Sequence, residues 1–319
     1  MRKSDHWRDG KERAAGNWQF SFMLSAYRFC GVKGSRFIIY PIVFVFCLFA
    51  PAVMSFSRSY LLRVATFCNG PKPSWRKSFF HIVSFVYAMF EKMAAWTGDV
   101  SLESVRFHQD DVSALIKQLE EGQGAVIICS HMGNMEILRA LASYGSTAVN
   151  RSFKVTSIVD FSGTSRFNAM IKKINPDSMT RLVNARDIGV DTVIDLKERL
   201  VNGELLVIAG DRVSSTTREK TELISFFGEA AGFPQGAFIL ASVMEAPVYF
   251  MFALRENDLE PMALFDMHVI RSSISFVSSR KERKERIRDM IREYVCLLEQ
   301  FACEHPLQWY NFYNFWRQQ

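Results

Sequence analysis

With 319 residues, 49% of them apolar and 23% charged, the chain can bury one large core, or a core carrying a small apolar attachment. Six cysteines, at 30, 47, 68, 129, 296 and 303, lack metal-ligand spacing, and the charged start has no cleavable signal pattern, so a reduced, cytoplasm-facing protein without a metal centre is expected. The net charge of +6 is unevenly placed: no acidic side chain lies between Glu12 and Glu91, and the basic residues there alternate with apolar and aromatic ones, which fits an anionic membrane surface and not nucleic acid.

Residues 4–31 hold Trp7, Trp18, Phe20, Phe22, Met23, Leu24, Tyr27 and Phe29 among charges, a composition for an amphipathic helix in an interface or for one packed on the core. Residues 37–57 are free of charge, and about 20 apolar residues suffice for a span. Pro41 and Pro51 interrupt the run, so a kinked or re-entrant hairpin and a full span are both open. The breaker Asn69-Gly70-Pro71-Lys72-Pro73-Ser74 ends this segment, dividing a membrane-associating part, 1–73, from an α/β part, 74–319. A helical pattern resumes over 74–96, where His81 reads as a core or interface residue.

After a short helix at 112–119 comes the stretch around which the rest is arranged, Gly124-Ala125-Val126-Ile127-Ile128-Cys129-Ser130-His131-Met132-Gly133-Asn134-Met135-Glu136. The apolar run Ala125–Cys129 suits a parallel strand buried on both faces, and residues 135–143 continue with helical spacing. His131 therefore falls at the carboxyl edge of a strand, beside a helix N-terminus. Five residues on a regular helix turn through about 140°, so Glu136 can reach His131 only if the histidine lies in the turn. There Glu136 would fix the tautomer and leave the other ring nitrogen as a base. Cys129, inside the strand, reads as a small buried hydrophobe.

Strands are expected at Val155–Val159, 181–184, Leu205–Ala209, 248–254 and 265–270, and helices at 165–174, Val190–Val201, 233–245 and 280–304. This alternation predicts an α/β fold with a mostly parallel central sheet flanked by helices. Gly210-Asp211-Arg212 falls on the same edge as His131, and residues 214–220 form a polar loop. Residues 280–286 carry five cations against two anions, a solvated face or a docking surface for an acidic partner. The aromatic ending Trp309-Tyr310-Asn311-Phe312-Tyr313-Asn314-Phe315-Trp316 must cover something apolar.

The His-x4-Glu pair after an apolar strand, Ile208-Ala209-Gly210-Asp211-Arg212, Phe226-Phe227-Gly228, and the run from Phe233 to Ala241 leading to Ala246-Pro247-Val248 together resemble the lysophospholipid acyltransferase superfamily, in its bacterial lipid A late-acyltransferase (lauroyl and myristoyl transferase) branch. The resemblance covers most of the chain from about Lys77. It implies a histidine base with an acidic partner, an acyl thioester donor on acyl-carrier protein or coenzyme A, a membrane lipid acceptor, and a place on the cytoplasmic face of the bacterial inner membrane. That branch usually has an arginine just after its second core strand. Here Asp160 follows Val155–Val159, and Arg166 comes several residues later.

The resulting expectation is transfer of a fatty acyl chain to a hydroxyl of a lipid A-like glycolipid, an aryl polyene or another lipid, without metal or cofactor. His131 and Glu136 would be catalytic. Gly133 and Asn134, with Met132, would offer N–H groups to the oxyanion. Asp211, Arg212 and Arg166 would bind the acceptor, Arg212 at a phosphate or sugar or else in a structural pair with Asp211. The rival readings are a catalytically inactive lipid-binding or scaffold protein of the same fold and a thioesterase-like hydrolase using Ser130 or Cys129, around which no Gly-x-Ser-x-Gly elbow is found.

Overall fold

The computed structural model describes residues 36–108, 111–137, 149–161, 182–212, 221–276 and 282–317, with a few isolated positions before residue 36. Arg166, the loop at 214–220, the helix expected at 165–174, residues 280 and 281 and most of 4–31 lie outside them.

Apolar, largely β-branched runs build the central sheet. Its strands are β1 (Val105–Phe107), β2 (Ala125–Cys129), β3 (Val155–Val159), β4 (Leu182–Asn184), β5 (Leu205–Ala209), β8 (Val248–Arg255) and β9 (Phe265–Arg271), in the order β1-β9-β8-β2-β5-β3-β4. Strands β8, β2, β5, β3 and β4 run parallel, while β9 pairs antiparallel with β8 and carries β1 beside it. Strand β2 is buried along its whole length because it feeds two cores. Val126 and Ile128 point into one, and Ala125 and Ile127 into the other, as the two-residue period of a strand requires.

The first core is closed by α5 (Val190–Val201), α6 (Gly236–Met244) and α7 (Arg283–Glu304), and the second by α4 (Val112–Glu120) and the end of α3 (Trp75–Thr97). A separate hairpin, β6 (Thr221–Phe226) with β7 (Glu229–Pro234), lies over the first core. Its two-residue turn puts Phe227 at φ 51° and Gly228 at φ 76°, the paired positive values that match the twist of hairpin strands. Phe233 and Pro234 belong to this hairpin and not to the helix expected from 233, because their backbone pairs with Glu222 and Thr221.

Two helices precede α3. Helix α1 (Arg36–Phe49) and α2 (Pro51–Phe67) meet at an angle of 99° where Pro51, at the first position of α2, follows Ala50 at φ −120° and ψ 59°, outside the helical region. Among the described residues no single helix is long and apolar enough to cross a membrane, although this bent pair is so when taken together. Helix α2 also shares the main core, to which it gives Tyr60, Leu61 and Val64. Cys68, just past α2, is joined to Cys303 near the end of α7, so the expectation of a wholly reduced set of cysteines is corrected for that pair.

Candidate active site

Strands β2 and β5 are parallel neighbours with Cys129 opposite Ala209, so His131 and Asp211 each lie two residues past the last paired position. The Gly210 N–H donates to Cys129 O at 2.8 Å and carries the alignment beyond the strands. Their side chains consequently meet: His131 Nδ1–H donates to Asp211 Oδ1 at 2.7 Å, and the His131 backbone N–H donates to Asp211 Oδ2 at 2.8 Å. With Nδ1 committed as donor, Nε2 carries the lone pair.

The carboxylate is 1% exposed and the imidazole 35%. Burial pushes the Asp211 carboxyl up, but the charge of His131, its two hydrogen bonds and the Arg212 guanidinium together hold it below the usual carboxylate range. Burial likewise depresses His131, and Arg212 and Lys92 add to that effect. These outweigh the opposing pull of Asp211, so the imidazole lies below its ordinary value and is neutral at pH 7.

Glu136 is not the partner of this imidazole, contrary to expectation. It accepts from Trp96 Nε1 at 3.1 Å and pairs with Lys92 Nζ at 3.5 Å, both on α3. The reason is the turn between them. Gly133, at φ 66°, reverses the chain, and a Cβ there would fall 1.9 Å from Ala253 O. Packed this closely on β8, the turn directs Glu136 towards α3.

The oxyanion site expected at Met132, Gly133 and Asn134 is also corrected. The Met132 N–H donates to Ser130 Oγ at 3.1 Å, Gly133 N–H to Gln308 O at 2.9 Å, and Asn134 N–H to Ala253 O at 2.8 Å. Asn134 is buried and donates its side-chain amide to Ala88 O. Gly133 and Asn134 therefore build the turn and present no free backbone donor to a substrate.

Arg212 donates through Nη2 to Tyr310 O at 2.8 Å, its one hydrogen bond among the described residues, and is half-buried beside the pair. Asp211, expected to bind the acceptor, is instead the partner of the histidine. Ser130 Oγ is tied to the Met132 N–H, and burial pushes the Cys129 thiol far above its ordinary value, so neither is an activated nucleophile. The described part of the basic run at 280–286 is partly neutralised within the chain, by Arg283 with Glu245 at 3.3 Å and Arg286 with Glu282 at 3.1 Å.

A carboxylate–imidazole pair at the carboxyl edge of a mostly parallel sheet, with no activated nucleophile beside it among the described residues, suits an enzyme that transfers a group to a hydroxyl brought by its second substrate. Residues 78–318 match the family described as bacterial lipid A biosynthesis acyltransferase, and the chain belongs to that family. It is thus an acyltransferase. No curated protein matches the chain.

Proposed function

We propose that the protein transfers a fatty acyl chain from an acyl-carrier protein or coenzyme A thioester to a hydroxyl of a membrane lipid or glycolipid, with His131 as general base. The observation that carries this reading is the buried bond from His131 Nδ1–H to Asp211, which leaves Nε2 as the acceptor on an imidazole that is neutral at pH 7. The acceptor hydroxyl gives its proton to Nε2 as its oxygen attacks the thioester carbonyl carbon. Collapse of the tetrahedral intermediate breaks the C–S bond, and the imidazolium returns the proton to the leaving thiolate. The products are an ester and a free thiol. Asp211 stabilises the transient imidazolium through Oδ1. The remaining guanidinium donors of Arg212 suit a phosphate on the acceptor.

The bent pair α1 and α2 supports action at a bilayer, on the cytoplasmic face in this reading. Phe37, Ile42, Phe44, Val45, Phe46, Leu48 and Phe49 are exposed on a stretch without charge. Such a surface is stable when buried in lipid, and the basic residues around it add attraction to anionic headgroups. The test is His131→Ala, purified and assayed with an acyl thioester and a lipid acceptor. General base catalysis is worth about 10²- to 10⁴-fold, so a folded variant should lose at least that range's lower bound; retention of the original rate would end the proposal.

A further inference from the structure

Residues 308–310 run beside the active-site turn as a short antiparallel bridge. The Gly133 N–H donates to Gln308 O at 2.9 Å, the Tyr310 N–H donates to His131 O at 3.0 Å, and Met132 is paired with Trp309. The Trp309 side chain goes further and reaches the catalytic carboxylate. Its indole Nε1–H donates to Asp211 Oδ2 at 3.0 Å, the oxygen that also accepts the His131 backbone N–H.

The indole is fully buried. Tyr60, Phe226 and Phe315 surround it with ring centroids at 5.0, 5.2 and 5.2 Å, and the Trp309 carbonyl accepts from His81 Nε2–H at 2.9 Å. Packing on all sides leaves the ring one orientation, with its N–H on Oδ2. Among the described residues Asp211 accepts three donors: the imidazole on Oδ1, and two N–H groups on Oδ2.

We infer that Trp309 is a positioning residue for the acyl transfer: its indole N–H orients the Asp211 carboxylate and tempers its charge, and so sets both the geometry and the basicity of His131. This rests on the proposed role of His131 as base. The effect has a definite sign. An N–H donor on Oδ2 draws charge from the carboxylate, so removing it strengthens the attraction of Asp211 for the imidazolium and raises the pH at which His131 releases its proton. Among the described residues the other charged groups that act on the imidazole are Arg212 after β5 and Lys92 on α3, while Glu136 beyond the turn and Tyr294 on α7 act on the neighbouring Cys129, and Tyr294 also on Asp211.

Two replacements separate positioning from packing. Trp309→Phe removes the donor and part of the ring, whereas replacing Trp309 with benzothienylalanine removes only the N–H and keeps the bicyclic shape. Both are assayed in the full-length protein across pH, beside His131→Ala and the double variant of His131→Ala with the benzothienyl residue. The expected result is an acidic limb of kcat/KM moved to higher pH with the isostere, and kcat reduced roughly 10- to 100-fold, the rate equivalent of a hydrogen bond to a charged group. KM should stay unchanged. In the His131→Ala background the isostere should change the residual rate less than about twofold, because a positioning residue has nothing left to act through.

An unmoved limb with wild-type kcat in the isostere overturns the inference, as does an equal loss in both backgrounds, which would make Trp309 a packing residue only. A His131→Ala variant strongly slowed but with a measurable residual rate, combined with either outcome, leaves the general base in place and removes Trp309 alone. A fully active His131→Ala removes both.

Discussion

Asp211→Asn distinguishes the geometry found here from a histidine oriented by Glu136. The carboxylate accepts three N–H donors: His131 Nδ1–H on Oδ1, and the His131 backbone N–H with the Trp309 Nε1–H on Oδ2. An asparagine has one acceptor oxygen. Two fixed donors, one from backbone and one from a packed indole, converge on the Oδ2 position, so the amide oxygen is held there and the NH2 group faces the imidazole. Nδ1 must then accept, the ring proton moves to Nε2, and the lone pair that would take the substrate proton is lost.

The expected loss in kcat is the whole general base contribution, about 10²- to 10⁴-fold, close to that of His131→Ala. Glu136→Gln is the control. Its carboxylate pairs with Lys92, and both side chains are about a quarter exposed or less (24% and 21%). Loss of such a partly solvated pair costs about 1 kcal/mol or less, and the amide can still accept from Trp96, so activity should change by less than about tenfold. Release of free thiol from the donor, read with a colorimetric disulfide reagent, gives the rates, and thermal melting verifies folding. Near-normal turnover by Asp211→Asn, with loss of turnover in Glu136→Gln, would refute the assignment.

Glu91 and Arg255 form an ion pair at 2.9 Å with side chains 0% and 2% exposed, so Glu91→Gln strands a buried cation and should cost about 3–5 kcal/mol in denaturant unfolding; a cost under about 1 kcal/mol would contradict it. His81 is fully buried, and burial lowers its pKa to about 4, so the unfolded chain binds its proton first. Its contribution is complete above pH 6.5 and is lost as pH falls towards 4, about 3 kcal/mol in all; His81→Gln should flatten the stability profile over that interval, and parallel profiles would exclude the effect. Replacing the exposed Phe44, Phe46 and Phe49 with serine should reduce co-flotation with anionic vesicles at high salt while leaving the melting temperature nearly unchanged, since these side chains face outward. Unaltered flotation would remove lipid burial of α1.

The sheet was legible because its signals are local. Runs such as Ala125–Cys129 and Leu205–Ala209 declare buried parallel strands, and their punctuation placed His131 and Asp211 on one edge. The partner of the histidine was misread because Glu136, five residues away, was weighed by spacing along the chain. The true relation is register between neighbouring strands, with both residues two places beyond the pair Cys129 and Ala209. That register could have been sought, as the two strands are equal in length and each is followed by a polar residue at its second position. The hairpin β6–β7 was hidden because Phe233-Pro234-Gln235-Gly236 imitates a helix start, and because its turn uses a phenylalanine where asparagine or glycine is usual. Strand β1 has only three residues, too few for any period to emerge. The link between Cys68 and Cys303 spans 235 residues and leaves no trace in spacing.

The bridge from residues 308–310 to the turn at 131–133 has a consequence for biosynthesis. Every strand of the sheet precedes residue 308 in the chain, so a ribosome can release a complete β2–β5 edge, with His131 and Asp211 already side by side, before the segment that locks them has been made. Domains fold as they emerge, yet here the nascent chain gains its indole donor and its backbone clamp only after the whole sheet has been made. Termination after Glu304 but before Trp309 therefore leaves every strand and α7 in place without the segment that holds the active-site turn.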